Sequence, residues 1–331
     1  MSSGSQRNVC CGRRRALLAG AGAVLGIGAP SLQAAHKPQR LVVAGVPGAT
    51  TDTLARLLGD GLARQLGELV IVDPRPGASG AIAVHDLLAA PRDGHTALIA
   101  VNSLVSEVPH ILRLKVDVAT AIVPLAELAR GALVLVATPS LPASTLPELI
   151  AYARAQRGAL SYASYSAGTM SHILGLQLAR AAGIELVHVG YRGSSPALVD
   201  VMAGHVPLMF DALPSSLPLL RAGKIKALGI STPARSPHLP QVPTFTELGF
   251  PALEAVPWLG LWAAVGEAPA EQARLRELAL EVMSRAQMRE RLAELGFEQG
   301  RPRTTAELRQ ALHAESVRVG EVLASIGFKP Q

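Results

Sequence analysis

Short runs rich in Val, Leu and Ile recur along the chain at residues 41–44, 69–72, 96–101, 133–137, 186–189 and 226–230. They are continuous rather than alternating, which is the pattern of strands buried on both faces. Further strands are predicted near 160–163, at 206–210 and at 258–265. Between the runs the period becomes helical. Leu54, Leu57, Leu58, Leu62 and Leu66 fall on one stripe behind Thr51-Asp52, which can cap a helix start. Thr145-Leu-Pro-Glu148 and Thr304-Thr-Ala-Glu307 are capping boxes, and Ser195-Pro196 reads as a cap followed by a first helical residue. Strands alternating with helices define an α/β class built on open, mostly parallel sheets.

A chain of 331 residues exceeds the size at which one core stops growing, so two domains are expected. Thr138-Pro-Ser-Leu-Pro142 is a proline-rich exit from the strand at 133–137, and similar punctuation occurs at 251–257. These breaks place one lobe at 36–137 plus 255–331 and the other at 138–254. Two chain crossings between lobes would make a hinged cleft.

The amino-terminus reads as an export signal over 1–35. Arg13, Arg14 and Arg15 precede an apolar run at 16–29 that is too short to remain as a membrane anchor; Pro30 ends it, and the small residues Ala34 and Ala35 follow. Arg14-Arg15-Ala16-Leu17-Leu18 also has twin-arginine spacing, so either the general or the folded-protein export route fits, and both lead to the periplasm. Cys10 and Cys11 lie ahead of the run and would be discarded with it, leaving no thiol chemistry. Arg7, Arg13, Arg14 and Arg15 supply four of the net six positive charges, leaving two on the mature chain. With aromatic residues at only 3%, there is little on which to stack bases, and no nucleic-acid partner is expected.

Three strand-to-helix turns carry chemistry. The first, Val43-Ala-Gly-Val-Pro-Gly-Ala-Thr-Thr-Asp52, ends a buried strand and opens a helix, where unpaired N–H groups and the helix dipole favour an anion. It is equally a tight connection, and it lacks the Gly-Lys-Ser/Thr of a phosphate loop. The second, Ser164-Tyr-Ser-Ala-Gly-Thr-Met-Ser-His172, concentrates hydroxyls at another helix start. Ser171-His172 invites a catalytic reading, but neighbours on a helix point about 100° apart and no Gly-x-Ser-x-Gly elbow surrounds the serine. The third, Met209-Phe-Asp-Ala-Leu-Pro-Ser-Ser216, puts Asp211 at a strand's carboxyl end, as a ligand contact or as a cap. The nine histidines are scattered without His-Glu-x-x-His spacing, so no metal is expected, and Gly20-x-Gly22 follows no strand, so no dinucleotide cofactor is expected either.

Several stretches in one order resemble the tripartite tricarboxylate transporter receptor family, the TctC-like or Bug solute-binding proteins. They are Thr51-Asp-Thr-Leu-Ala-Arg56, Asp73-Pro-Arg-Pro-Gly-Ala-Ser-Gly80, Asp93-Gly-His-Thr96, Val187-His-Val-Gly-Tyr-Arg-Gly-Ser194 and Leu208-Met-Phe-Asp-Ala-Leu-Pro-Ser215. The resemblance implies a two-lobed, type II periplasmic binding protein fold, with no catalysis, that closes on a small organic carboxylate or amino acid and delivers it, as a monomer, to membrane permease subunits. A liganded protein that engages a membrane sensor kinase is the alternative. Carried onto this chain, the implied ligand residues are Gly48, Ala49, Thr50 and Asp52 in the first turn and Ser164, Gly168, Thr169, Ser171 and His172 in the second. Asn102 and Ser103 border the cleft, and Asp211 matches an aspartate that can meet a ligand ammonium. Ala44 and Gly45 stand where the family has proline and phenylalanine, which removes an aromatic wall, and Ala49 replaces a glycine. Tyr165, Ser166 and Met170 reshape the opposite wall. The whole reading requires Thr50, Thr169 and Asp211 to line one hollow.

Overall fold

The structure, a computed structural model, describes residues 37–156 and 158–325 together with 328 and 330. The expected export signal, with Cys10 and Cys11, lies outside the described residues. The strands are β1 (Gln39–Val43), β2 (Val70–Pro74), β3 (Thr96–Val101), β4 (Ile122–Arg130), β5 (Leu133–Ala137), β6 (Leu160–Ser164), β7 (Leu186–Gly190), β8 (Leu208–Ala212), β9 (Lys226–Ile230), β10 (Trp258–Ala264) and β11 (Glu298–Gln299). The helices are α1 (Thr50–Leu66), α2 (Ala81–Ala89), α3 (Ser103–Ser106), α4 (Val108–Ile111), α5 (Val118–Ala121), α6 (Leu146–Ala155), α7 (Met170–Ala182), α8 (Ser194–Ala203), α9 (Leu213–Arg221), α10 (Pro269–Ser284), α11 (Ala286–Glu294) and α12 (Thr305–Ser325). None of them is long and apolar enough to cross a membrane.

Two mixed sheets result. One has the order β11-β4-β10-β3-β1-β2 and the other β7-β6-β8-β5-β9. The strands linked by helical crossovers, β1 with β2 and β3, and β6 with β7 and β8, pair in parallel. The strands that enter from the other sheet run antiparallel: β5 against β8 and β9, and β10 against β3 and β4. The chain crosses from β4 to β5 through Gly131-Ala132, and returns between β9 and β10. In register, Leu133 of β5 pairs with Ala212 at the end of β8, and Leu259 of β10 pairs with Val101 at the end of β3. Both crossings therefore arrive at the carboxyl ends of the parallel strands, where the helices begin.

Burial explains the continuous apolar runs. Leu41 and Val43 belong to one cluster with Leu54, Leu58 and Ile99, whereas Val42 faces the opposite cluster with Leu98 and Trp262. Likewise Leu133 and Leu135 pack with Tyr162, Leu174 and Phe210, while Val134 and Val136 pack with Met209 and Val201. The inner strands are covered on both faces, each large aliphatic side chain there gaining roughly 1.5–3 kcal/mol from burial, whereas the edge strands β2, β7 and β11 stay partly or fully exposed.

Two features differ from the sequence expectation. The strand at 133–137, expected with the first lobe, is hydrogen-bonded between β8 and β9 in the five-stranded sheet. The strand β4 was not expected, because Pro124, Glu127 and Arg130 interrupt its apolar pattern. All nine of its residues are buried, and Arg130 Nε donates to Glu127 Oε1 at 2.8 Å, pairing the charges that masked it. The two capping boxes form as expected: Glu148 N donates to Thr145 Oγ1 at 3.3 Å, and Glu307 N to Thr304 Oγ1 at 3.2 Å. Helix α12 is a strap. Leu308 and Leu312 sit on the six-stranded sheet's core, Val319 and Leu323 on the other's.

Candidate functional site

A cavity of about 270 Å³ lies between the carboxyl ends of the two sets of strands. One wall comes from the β1–α1 turn (Ala44, Gly45, Val46, Ala49, Thr50, Thr51), the β2–α2 turn (residues 76–80), Val101, Leu259 and Phe297. The other comes from Tyr165, Ser166, Ala167 and Thr169, from residues 190–194, and from Ala212 and Pro214. The crossings close the back with Gly131, Ala132, Leu133 and Pro257.

What the walls share is helix starts. The residues preceding α1, α7, α8 and α9 are Ala49, Thr169, Gly193 and Ala212, and Gly77 precedes the 3-10 turn that leads into α2; all five line the cavity. None of the five makes a side-chain cap hydrogen bond. Elsewhere α6 is capped by Thr145 and α12 by Thr304, while α10 and α11, away from the cavity, also lack a side-chain cap; what distinguishes the five is that they meet at one cavity. A helix start leaves its first N–H groups without carbonyl partners and carries about half a positive charge. Some of these groups are already taken: Leu213 N at the start of α9 donates to the Ala132 carbonyl at 2.9 Å, and Pro196 and Pro214 have no N–H; the positive ends of the helices still face the cavity. Arg192, exposed, is the one charged side chain among the lining residues, and no aspartate or glutamate is among them.

The two walls touch across the opening. Thr50 and Ser215 share a hydroxyl–hydroxyl bond; Ser166 Oγ donates to Ser79 Oγ at 2.7 Å, and Ser79 Oγ donates to the Ala167 carbonyl at 2.6 Å. Gly193, at φ +122°, faces Val46, and a Cβ there would fall 2.6 Å from Val46 Cγ2.

Of the ligand residues expected from sequence, Ala49, Thr50 and Thr169 line this cavity; the rest lie off its wall. Gly48 adopts φ +77° in the turn and donates its N–H to Asp52 at 2.8 Å. Asp52 is the third residue of α1 rather than its cap, and it also pairs with Arg56 at 2.8 Å. Asn102 ties the second crossing to α12: Oδ1 accepts from Trp258 N at 3.0 Å, and Nδ2 donates to Glu315 at 2.9 Å. Ser103 is buried beside it. Gly168 supplies a left-handed turn at φ +78° and donates to His172 Nδ1 at 3.3 Å. Ser171 Oγ donates to the Phe210 carbonyl. Ser164 Oγ pairs with His188 Nε2 at 2.7 Å.

His172 and His188 stack at 3.7 Å between ring centres. Burial lowers His172 to a pKa of about 3, with His188 adding to the effect, and burial lowers His188 to about 4; both rings are neutral packing groups. Neither Ser171-His172 nor Ser164-His188 reaches the cavity.

Asp211 also stands behind the wall. Its carboxylate is fully buried and accepts from Ser194 Oγ at 2.5 Å and Ser216 Oγ at 2.6 Å. Burial raises its pKa to about 6 against the lowering effect of those hydroxyls. The requirement that Thr50, Thr169 and Asp211 share one hollow is therefore met by Thr50 and Thr169 and not by Asp211, which is buried behind the wall and holds Ser194 at the start of α8. This helix begins two residues earlier than expected, with Gly193 rather than Ser195 in the capping position and Ser194 rather than Pro196 as its first residue.

Sequence reasoning placed Tyr165 and Ser166 on the opposite wall but did not carry Ser79, Tyr191, Arg192 or Ser194 into the site. The signal was present: the stretches 73–80 and 187–194 each end a strand and open a helix with glycine and serine.

Two α/β sheets joined by two chain crossings, with helix starts from both facing one cavity, define a two-lobed solute-binding protein. Comparison with known proteins narrows this. The chain belongs to the family described as the tripartite tricarboxylate transporter family receptor, whose model matches residues 54–328. It is 34% identical over 306 residues to the UPF0065 protein in the tcbD-tcbE intergenic region of Pseudomonas sp. (strain P51), covering 90% of each chain. Rpa4515 of R. palustris, solved with adipate, superposes with a TM-score of 0.84 at 32% identity, covering 89% of this chain and 98% of its own. MatC (Rpa3494) from Rhodopseudomonas palustris, solved with bound malate, gives 0.79 at 29% identity, covering 86% and 98%.

Proposed function

We propose that this protein is an extracytoplasmic receptor that captures a small organic carboxylate in the cavity between its sheets and hands it to the permease subunits of a tripartite transporter. The observation that carries this reading is the convergence of five helix starts, none capped by a side chain, on one cavity that no acidic side chain lines. Adipate and malate in the two relatives' structures are in keeping with it. Residues up to the first crossing at 131–132, with those from 257 onward, form one lobe in this proposal, and 133–256 the other. In this proposal the receptor works as a monomer. The export signal expected at 1–35 delivers it to the periplasm.

The mechanism follows from the distribution of donors. N–H groups of α1 and of the turn before α2 belong to one lobe, and those of α7, α8 and α9 to the other, so a carboxylate meets both sets only when the lobes close. Each charge-assisted bond contributes about 1.5–3 kcal/mol, and several offset the ordering cost of closure. Calorimetric titration with mono-, di- and tricarboxylates tests the reading; absence of heat and of thermal stabilisation across that series, with folded protein, rules it out. Closure itself is tested at Gly193. A methyl group there meets Val46 of the opposite wall and strains a backbone at φ +122°. Gly193→Ala is expected to weaken ligand affinity by about 10-fold or more, since holding the walls apart costs the donors of one side. Equal affinity in titration would mean that the contact opens freely.

A further inference from the structure

We infer that the guest is a carboxylate without an amino group, carried on an apolar body. The inference rests on the carboxylate-receptor reading above and narrows it.

An amino acid needs an anion for its ammonium. None of the lining residues is acidic. The two aspartates nearest in sequence to the walls stand off them: Asp52 takes the Gly48 N–H and Arg56 on Oδ2 and keeps Oδ1 buried, and Asp211 is held by Ser194 and Ser216. An ammonium in the cavity would give up its water without a counter-charge, beside five positive helix ends and Arg192. The electrostatics that favour the carboxylate head therefore oppose an amino group on the same molecule.

A hydroxylated body also finds few partners. Most of the neutral polar side chains of the walls are bonded to protein: Thr50 to Ser215, Ser79 and Ser166 to each other, Thr169 Oγ1 to the Ser166 carbonyl at 2.7 Å, Tyr191 to Asp200 at 2.5 Å, and Ser194 to Asp211 at 2.5 Å. The positive helix ends face the head. The strand ends and crossings meanwhile supply Val101, Leu133, Leu259, Phe297 and Pro257, all apolar. Ala44 and Gly45, both small, line the same space at the first turn. Apolar surface of this kind gains by displacing water with hydrocarbon and gains nothing from a hydroxyl.

The test compares matched ligands on the unaltered protein, so folding of a variant is not at issue. Hexanoate is titrated against norleucine, phenylpropanoate against phenylalanine, and both acids against malate. In each pair the acid lacking the ammonium is expected to bind more tightly by about 30-fold or more, and malate to bind more weakly than the better of the two acids by a similar factor. An amino acid that matches or exceeds its deaminated partner overturns the first half of the inference, and malate as the tightest ligand overturns the second, while the carboxylate-receptor reading stands in both cases. Failure of every acid, malate included, overturns the receptor reading and this inference with it.

Discussion

Ala49→Asp is expected to abolish ligand capture while leaving the protein at least as stable as before. Ala49 precedes α1 in extended geometry (φ −78°, ψ 171°), the conformation of a capping residue, yet its methyl group accepts no hydrogen bond. An aspartate there turns its own carboxylate onto the first N–H groups of α1. That contact stabilises the helix by roughly 0.5–2 kcal/mol, which for a chain of this length raises the melting temperature by about 2 °C. It also fills the anion site with a permanent, covalently attached anion. Loss of two charge-assisted bonds to the guest, together with repulsion from the new carboxylate, predicts a fall in affinity of at least about 100-fold. Ala49→Asn separates charge from bulk: it caps the helix similarly without repelling an acid, and should retain more affinity than the aspartate. Unchanged binding in Ala49→Asp would show that the guest does not sit on the start of α1. The opposition of stability and binding at this one position is the consequence of leaving five helix starts uncapped by side chains around a cavity.

The second large effect concerns stability against pH. Glu107, between α3 and α4, is completely buried and neither of its carboxyl oxygens has a hydrogen-bond partner. Burial first, then the neighbouring Glu315 carboxylate, raise its pKa well above the usual glutamate value, and Arg318 only partly opposes them. Glu315 is itself raised by burial, and is held by the Asn102 amide and Arg318. Tyr165, on the cavity wall, is raised by burial and by the same Glu107 carboxyl. A proton on Glu107 thus relieves a charge that nothing nearby neutralises. Because the folded-state pKa lies above the unfolded one, the stabilisation is complete below the unfolded value and is lost as pH rises through the folded value. The melting temperature of the wild type should therefore fall on going from about pH 5 to about pH 9, beyond what a general surface effect gives. Glu107→Gln keeps the shape and stays neutral, so its curve should be flatter and lie several degrees above wild type at the alkaline end. Parallel curves for the two proteins would mean that Glu107 does not titrate in this range. Glu315 belongs to α12, the helix that straps both cores, so ionisation beneath it loosens a contact on which both sheets depend.

Local pattern in the sequence determined a good deal. Continuous Val, Leu and Ile runs specified strands covered on both faces, since each residue's neighbour points the other way and both faces found a core. Thr145 and Thr304 with their glutamates specified helix starts, because a capping box is satisfied within four residues and needs no partner from elsewhere. The turns at 43–52 and 164–172 were legible as helix starts rich in glycine and hydroxyls, and each delivers residues to the cavity, Ala49 and Thr50 from one and Thr169 from the other. Tertiary structure alone decided the rest. β4 reads as polar until Glu127 and Arg130 meet, and β5 joins the second sheet because its partners β8 and β9 lie some 70 to 100 residues further along the chain. Asp211 was visible as a strand-end acid, but whether it faced the guest or stood behind the wall depended on Ser194 and Ser216 claiming its two oxygens. Periodicity records which face of an element is buried, whereas a binding site is made where elements distant in sequence come together, and the geometry of that meeting is written in no single segment.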